Sequence, residues 1–292
     1  MISIHKLVLL NEVIEYLNLN NDSNQKIIDA TLDGGGHSRE ILNRYPDIKI
    51  IGIEFDPVLI KEIETLPNLT VVNDSYTNLM EVVNRFDFKP DGIIFDLGLS
   101  SWHYEKSGRG FSFSRDEKLD MRYNPDVQTL SAADIVNKYD QRQISDILMN
   151  FGEENFAESI SKNIIKARQT KLILNTNDLV EIIDTSVPTW YRHRKIHPAT
   201  KTFQALRIAV NDELANVERG INAAIEVLNP RGRLVVISFH GLEDKVVKNI
   251  FKNKAKEGII KFVTKSTIRP SWDEIKLNPR SRSAKMKIVE KI

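Results

Sequence analysis

Three stretches of this chain place reactive side chains directly after apolar runs. Ile93-Ile94-Phe95 leads into Asp96 and then Leu97-Gly98-Leu99-Ser100-Ser101. Lys26-Ile27-Ile28-Asp29-Ala30 leads into Thr31-Leu32-Asp33-Gly34-Gly35-Gly36-His37-Ser38, and Ile48 to Ile53 leads into Glu54. A short apolar run rich in β-branched residues reads as a buried parallel strand. The carboxyl edge of such strands is where open α/β sheets bind ligands. Asp96 is the candidate catalytic acceptor there, or else the anchor of the loop that supplies one.

The glycines let a ligand approach the backbone closely. Their spacing is not G-x-G-x-x-G, which argues against a dinucleotide. Asp33 would repel a pyrophosphate but could hold an ammonium group. Glu54 stands where an acid grips a ribose diol. Tyr76, after the third strand, could stack on adenine or be an edge aromatic. S-adenosylmethionine has the diol and the ammonium and lacks phosphates, so Asp33, Gly34, Gly35, Gly36, His37, Glu54 and Tyr76 form its candidate cradle. His37 could instead cap its helix. His240, in Ser238-Phe239-His240-Gly241, is open between a catalytic and a helix-opening role. No metal spacing such as His-Glu-x-x-His occurs, so no protein-held metal is expected.

A second group of residues suits a polyanion. Trp102, His103 and Tyr104 precede Arg109-Gly110-Phe111-Ser112-Phe113-Ser114-Arg115. Rings interleaved with arginines can stack on bases and grip phosphates; an ordinary loop with buried rings is the alternative. Arg192 to Pro198, extended by Lys201 and Arg207, lies in a stretch from Thr189 to Arg207 without any acid. The candidate substrate contacts are Trp102, Arg109, Phe111, Phe113, Arg115, Arg122, Lys195, His197, Lys201 and Arg207.

The elements that must position these residues follow from periodicity. Strands are expected at Lys26–Ala30, Ile48–Ile53, Leu69–Val72, Gly92–Phe95 and Arg233–Phe239. Helices are expected at Ser38–Tyr45 and after Asp56-Pro57. The alternation predicts a doubly wound α/β sheet. From Glu105 to Thr202 the patterns are helical: Ser131–Lys138, Asp140–Met149, Glu153–Arg168 and Asn175–Ile183. A long amphipathic helix spans Pro198–Leu228, broken near its start. Ile259–Val263 and Ala284–Val289 suggest a late hairpin. The expected division is a split sheet domain, 1–104 plus 203–292, around a helical insertion, 105–202.

The 292 residues are 41% hydrophobic and 28% charged, with a net charge of +1 and no cysteine. That composition supports a globular core and excludes disulfides, thiolate metal sites and a cysteine nucleophile. It fits a cytoplasmic protein. The run Leu7–Leu10 is too short for a signal segment, and no stretch has membrane-spanning length.

The ordered motifs Ala30–Ser38, Phe95–Ser101, Arg109–Phe113, Leu119-Asp120-Met121-Arg122, Phe151–Glu154, His197–Ile208, Ile237–Asp244 and Asn278–Ser283 cover the whole length. Through them the chain resembles the bacterial 16S rRNA (cytosine-N(4))-methyltransferase family (RsmH/MraW). The resemblance implies a class I methyltransferase (Rossmann-like) sheet, S-adenosylmethionine as methyl donor, and a decoding-region cytidine of the small ribosomal subunit as substrate. It implies cofactor contacts at Gly35, Gly36, His37, Glu54, Tyr76, Asp96 and His103. The chain departs from the family pattern at Asp33 (usually Gly), Glu54 (usually Asp), Tyr76 (usually Phe) and Trp102-His103 (usually Pro-Gln). Two rival readings remain at this stage: a methyltransferase for another substrate, and a non-catalytic RNA-binding assembly factor.

Overall fold

The computed structural model describes residues 7–20 and 24–292; the start of the N-terminal segment, residues 1–6, lies outside them. In chain order the first elements are α1 (Leu10–Leu17), β1 (Lys26–Asp29), α2 (Gly36–Arg44), β2 (Lys49–Glu54), β3 (Leu69–Asn73), α3 (Leu79–Phe86) and β4 (Gly92–Leu97). Seven helices follow: α4 (Ser101–Glu105), α5 (Ala132–Lys138), α6 (Gln141–Gly152), α7 (Ala157–Arg168), α8 (Thr176–Ser186), α9 (Thr189–Arg192) and α10 (Ala199–Asn211). The chain ends with α11 (Glu213–Val227), β5 (Arg233–Ser238), α12 (Gly241–Lys256), β6 (Ile260–Phe262), α13 (Trp272–Leu277) and β7 (Lys285–Lys291).

It parts into two compact units, residues 1–100 with 214–292, and residues 101–213. The first holds a seven-stranded sheet in the order β3-β2-β1-β4-β5-β7-β6. The strands β1 to β5 run parallel, and β7 pairs antiparallel with both β5 and β6. Successive side chains of a strand point to opposite faces. Ile28, Ile51, Ile93 and Leu234 therefore enter one buried cluster, with Val217 and Ile221 of α11. Their neighbours Ile27, Ile50, Ile94 and Val235 enter another, with Val13 of α1 and Ile41 of α2. Burial on both faces explains why these strands read as unbroken apolar runs. The connections reverse direction between β1 and β4, so the crevice at their carboxyl ends is the ligand-binding point of this topology.

The second unit is helical, with Ile135, Ile144, Leu148, Ile160, Ile164, Leu179, Ile183 and Leu206 fully buried. Ser131 and Asp140 open α5 and α6 through capping boxes with Asp134 and Gln143.

Four details differ from the sequence expectation. Asp56 does open a turn, accepting from Val58 and Leu59, but only a 3-10 helix over Leu59–Glu62 follows. The expected break near the start of the long helix lies instead at Asp212, which is left-handed (φ 48°) and separates α10 from α11. The units part between 213 and 214 rather than between 202 and 203, because α10 packs on α6 within the helical unit; the other junction lies ahead of α4. The late strands pair antiparallel as expected, but their connection holds a helix, α13, that the sequence reading did not mark.

Candidate active site

At the end of β1, Asp29 is buried and accepts a hydrogen bond from Ser38 Oγ of α2 at 2.7 Å. That bond clamps strand to helix across the glycine loop. The loop turns through two left-handed residues, Asp33 (φ 48°) and Gly35 (φ 72°), and Gly35 N–H donates to the Leu32 carbonyl at 2.7 Å. Aspartate tolerates this conformation better than most side chains. Gly34 faces open space, whereas a Cβ on Gly36 would lie 2.2 Å from Leu7 Cδ2. The first is thus exposed to a ligand, and the second is required by packing.

Four carboxyl groups converge on this edge. Burial pushes Glu54 up to about 8, helped by the charge of Asp56 and opposed by backbone N–H donors of Asp56, Asp33 and Phe55. The Asp56 N–H donor lies 2.7 Å from Glu54 Oε1. Burial also raises Asp33, with the charges of Glu54, Asp96 and Asp29 adding to it. Asp29 is raised by burial, against the hydrogen bond from Ser38 and the charge of His37. Asp96 is pushed up to about 6 by burial, with His37 opposing and Asp29 and Glu243 reinforcing. Mutually repelling acids favour either protons or a bound cation. A ligand with a sulfonium and an ammonium suits this donor set, and a phosphate does not.

Asp96 is held from several sides. Its N–H donates to Thr31 Oγ1 at 2.7 Å, which ties β4 to the glycine loop. His37 Nε2 lies 3.1 Å from the Val8 carbonyl, so its other nitrogen, Nδ1, faces Asp96 Oδ2 at 3.7 Å. Asp96 Oδ1 is buried and has no hydrogen-bond partner among the described residues. A buried acceptor left unpaired is costly.

Tyr76 packs edge-on against Phe95, centroids 5.5 Å apart. Gly220 of α11 backs the ring, where a Cβ would lie 2.5 Å from Tyr76 Cδ2. His240 resolves to the helix-opening role: its Nδ1 accepts from Glu243 N–H at 3.3 Å, and Glu243 returns the contact to the backbone of Phe239 and His240. Asp33, Gly34, Gly35, Gly36, His37, Glu54, Tyr76 and Asp96 thus share one unit, whereas His103 belongs to the other. Asp29 and Thr31 were missed as site residues. Asp29 carries the same strand-end signal as Asp96; the role of Thr31 exists only through tertiary contact.

In the helical unit, His103 is buried against Trp102, Phe111 and Tyr123. Phe111 is stacked on Tyr123 and only 5% exposed, so it is wall rather than base platform. Three arginines expected on phosphates have internal partners instead. Arg109 Nη1 donates to the carbonyls of Arg122 and Tyr123, both at 2.8 Å, and its guanidinium lies over Trp102 and Phe111. Arg122 is paired with Asp120 through two contacts of 2.7 Å. Arg207 is paired bidentately with buried Glu213 at 2.8 and 2.9 Å, and Tyr123 Oη donates to the same carboxylate at 2.8 Å. Phe113 stacks on exposed His197 with centroids 4.7 Å apart. Arg115 donates to the Glu105 carbonyl and Lys201 to that of Glu153, while Lys195 is exposed. Half-buried Trp102 and Phe113, with exposed Arg115, Lys195 and His197 and with Lys201, stay as candidates for substrate contact.

The family model of the MraW methylase family matches residues 2–292. A protein of Treponema denticola called ribosomal RNA small subunit methyltransferase H is 42% identical over 311 residues, covering 99% of this chain and 98% of that one. Its namesake in Dictyoglomus thermophilum is 43% identical over 297 residues, covering 99% and 97%. From end to end, the chain belongs to the MraW methylase family.

Proposed function

We propose that this chain transfers a methyl group from S-adenosylmethionine to the exocyclic N4 amine of a cytidine in the decoding region of 16S rRNA, on the small ribosomal subunit and in the cytoplasm. The observation that carries the reading is Asp96: a half-buried carboxylate at the β1/β4 crevice, anchored through Thr31, with its buried Oδ1 unmatched. The absence of cysteine removes the usual nucleophile for methylation at the cytosine ring carbon. No helix of the described residues is long and apolar enough to cross a membrane.

The cofactor supplies an electrophilic methyl on a cationic sulfur. Gly34 to Gly36 offer backbone to it, Asp33 a carboxylate for its ammonium, Glu54 an acceptor for the ribose diol, and Tyr76 a ring beside the adenine. His103 enters as a cofactor contact through the family correspondence alone. The amine of cytosine is a poor nucleophile because its lone pair is delocalised into the ring. Asp96 Oδ1 accepts one N4–H and localises the lone pair on nitrogen. Asp96 would take up the surplus proton that N4 sheds on gaining the methyl group. With its pKa at about 6, the carboxyl releases the proton to neutral solvent. The fixed carboxylate keeps the amine in a near-attack position. The base must leave its stack to reach such a buried acceptor.

The test is transfer from labelled S-adenosylmethionine to small subunits that lack the modification, with digested nucleosides resolved by mass spectrometry. Label on the exocyclic amine of a cytidine is expected. Cofactor binding without label in rRNA would overturn the reading in favour of another substrate.

A further inference from the structure

Between Asp184 and Asp212 the chain has no acidic residue, yet it carries Arg192, His193, Arg194, Lys195, His197 and Lys201, besides Arg207, which is paired with Glu213. Within this stretch Trp190 is 63% exposed and Ile196 is 61% exposed. An indole that open is uncommon on a folded surface. It is also held firmly. Its ring packs edge-on to Phe156 and Tyr191, with centroids 6.0 and 5.6 Å apart. Tyr191 is buried, and its hydroxyl bonds both carboxylate oxygens of Glu154 at 2.9 and 3.1 Å. That acid is 2% exposed, so it faces Tyr191 rather than the surface. Arg192 is tied to the Val187 carbonyl through Nε and Nη2, and Arg194 lies over the Tyr191 ring at 5.0 Å.

A pre-fixed indole loses little freedom when something stacks on it. Cations without counter-charges favour a polyanion, and a flat ring among them favours one with exposed π-faces. Paired RNA hides its base faces; unpaired RNA shows them. We propose that Trp190, flanked by Arg194 and Lys195, is a stacking platform for an unpaired, non-reacting nucleotide of the RNA substrate. The proposal rests on the rRNA methyltransferase reading and adds to it a recognition surface within the helical unit.

The experiment compares the full chain with Trp190→Ala, Trp190→Phe and the double variant Arg194→Gln/Lys195→Gln. Methyl transfer to unmodified small subunits is followed across subunit concentration and salt, and cofactor Kd is measured by calorimetry. Trp190→Ala should raise KM about tenfold with kcat and cofactor Kd unchanged, the loss expected for one stacked base. Trp190→Phe should recover most of that loss. The double variant should raise KM and flatten its salt dependence by about two phosphate contacts. An unchanged KM in Trp190→Ala would overturn the platform while leaving the methyltransferase reading intact. So would a wild-type dimer that Trp190→Ala turns into a monomer, since the patch would then be covered by a second copy. Failure of the wild type to methylate rRNA would instead overturn the underlying reading.

Discussion

His37 Nδ1 stands 3.7 Å from Asp96 Oδ2, and the same histidine is pinned by the Val8 carbonyl through Nε2. The histidine charge lowers the proton affinity that burial raises at Asp96. His37→Gln removes that charge while keeping a donor for Val8, so Asp96 should titrate higher. The acidic limb of kcat/KM against pH should lie at about 6 in the wild type and move to higher pH in the variant. A limb that stays in place would show that His37 does not tune Asp96.

Asp96→Asn removes the proton acceptor but keeps the side-chain shape. Loss of a positioned acid or base typically reduces turnover about 10²–10⁴-fold. Single-turnover transfer should fall within that range, while RNA affinity stays within a few-fold of the wild type. Retention of full turnover would move the acceptor role elsewhere.

Glu54 and Asp96 bind protons more tightly in the folded chain than free carboxyl groups do, with burial raising them to about 8 and about 6. Between the free and the raised values the folded chain holds more protons than the unfolded one. Its stability therefore decreases as pH rises from about 4 to about 8. The Tm of the cofactor-free protein should drop across this window, and Glu54→Gln should flatten the upper part of the slope. Binding of a cationic cofactor should release protons, which appears as a calorimetric heat that varies with the ionisation enthalpy of the buffer.

Arg207, Glu213 and Tyr123 share one buried carboxylate. Arg207→Ala leaves that charge uncompensated, which typically costs about 3–5 kcal/mol. Denaturant unfolding should show this loss. Were Arg207 chiefly a phosphate contact, stability would hold and only RNA affinity would drop.

Gly220→Ala places a Cβ 2.5 Å from Tyr76 Cδ2 and 3.3 Å from Phe95 Cε1. The Tyr76 ring must shift. Cofactor Kd should rise several-fold, and an unchanged Kd would remove Tyr76 from the adenine-facing role.

The strand-to-acid junctions at Asp29, Glu54 and Asp96 were legible because both faces of the sheet are buried, which leaves unbroken apolar runs ended by one polar residue. The partners of the arginines were not legible from composition alone: Arg122 pairs with Asp120 two positions away, Arg207 pairs with Glu213 just beyond the helix break at Asp212, and Arg109 donates to the carbonyls of residues 122 and 123. The helix break at Asp212 carries no glycine or proline, so periodicity ran straight through it. Trp190 lies between the expected helices, and only its exposure in the fold marks it.

Strands β4 and β5 lie side by side, and the Asn229 side chain reaches Asp91 across 138 positions of sequence. During synthesis β1 to β4 therefore emerge well before the partner that completes them. Until residues 233–238 are made, the inner edge of β4 is an open row of backbone donors and acceptors, a template for pairing with other chains. Closing so long a loop makes sheet completion a late and slow event in folding. A nascent chain stalled within the helical unit would thus keep that edge open until β5 is made to cover it.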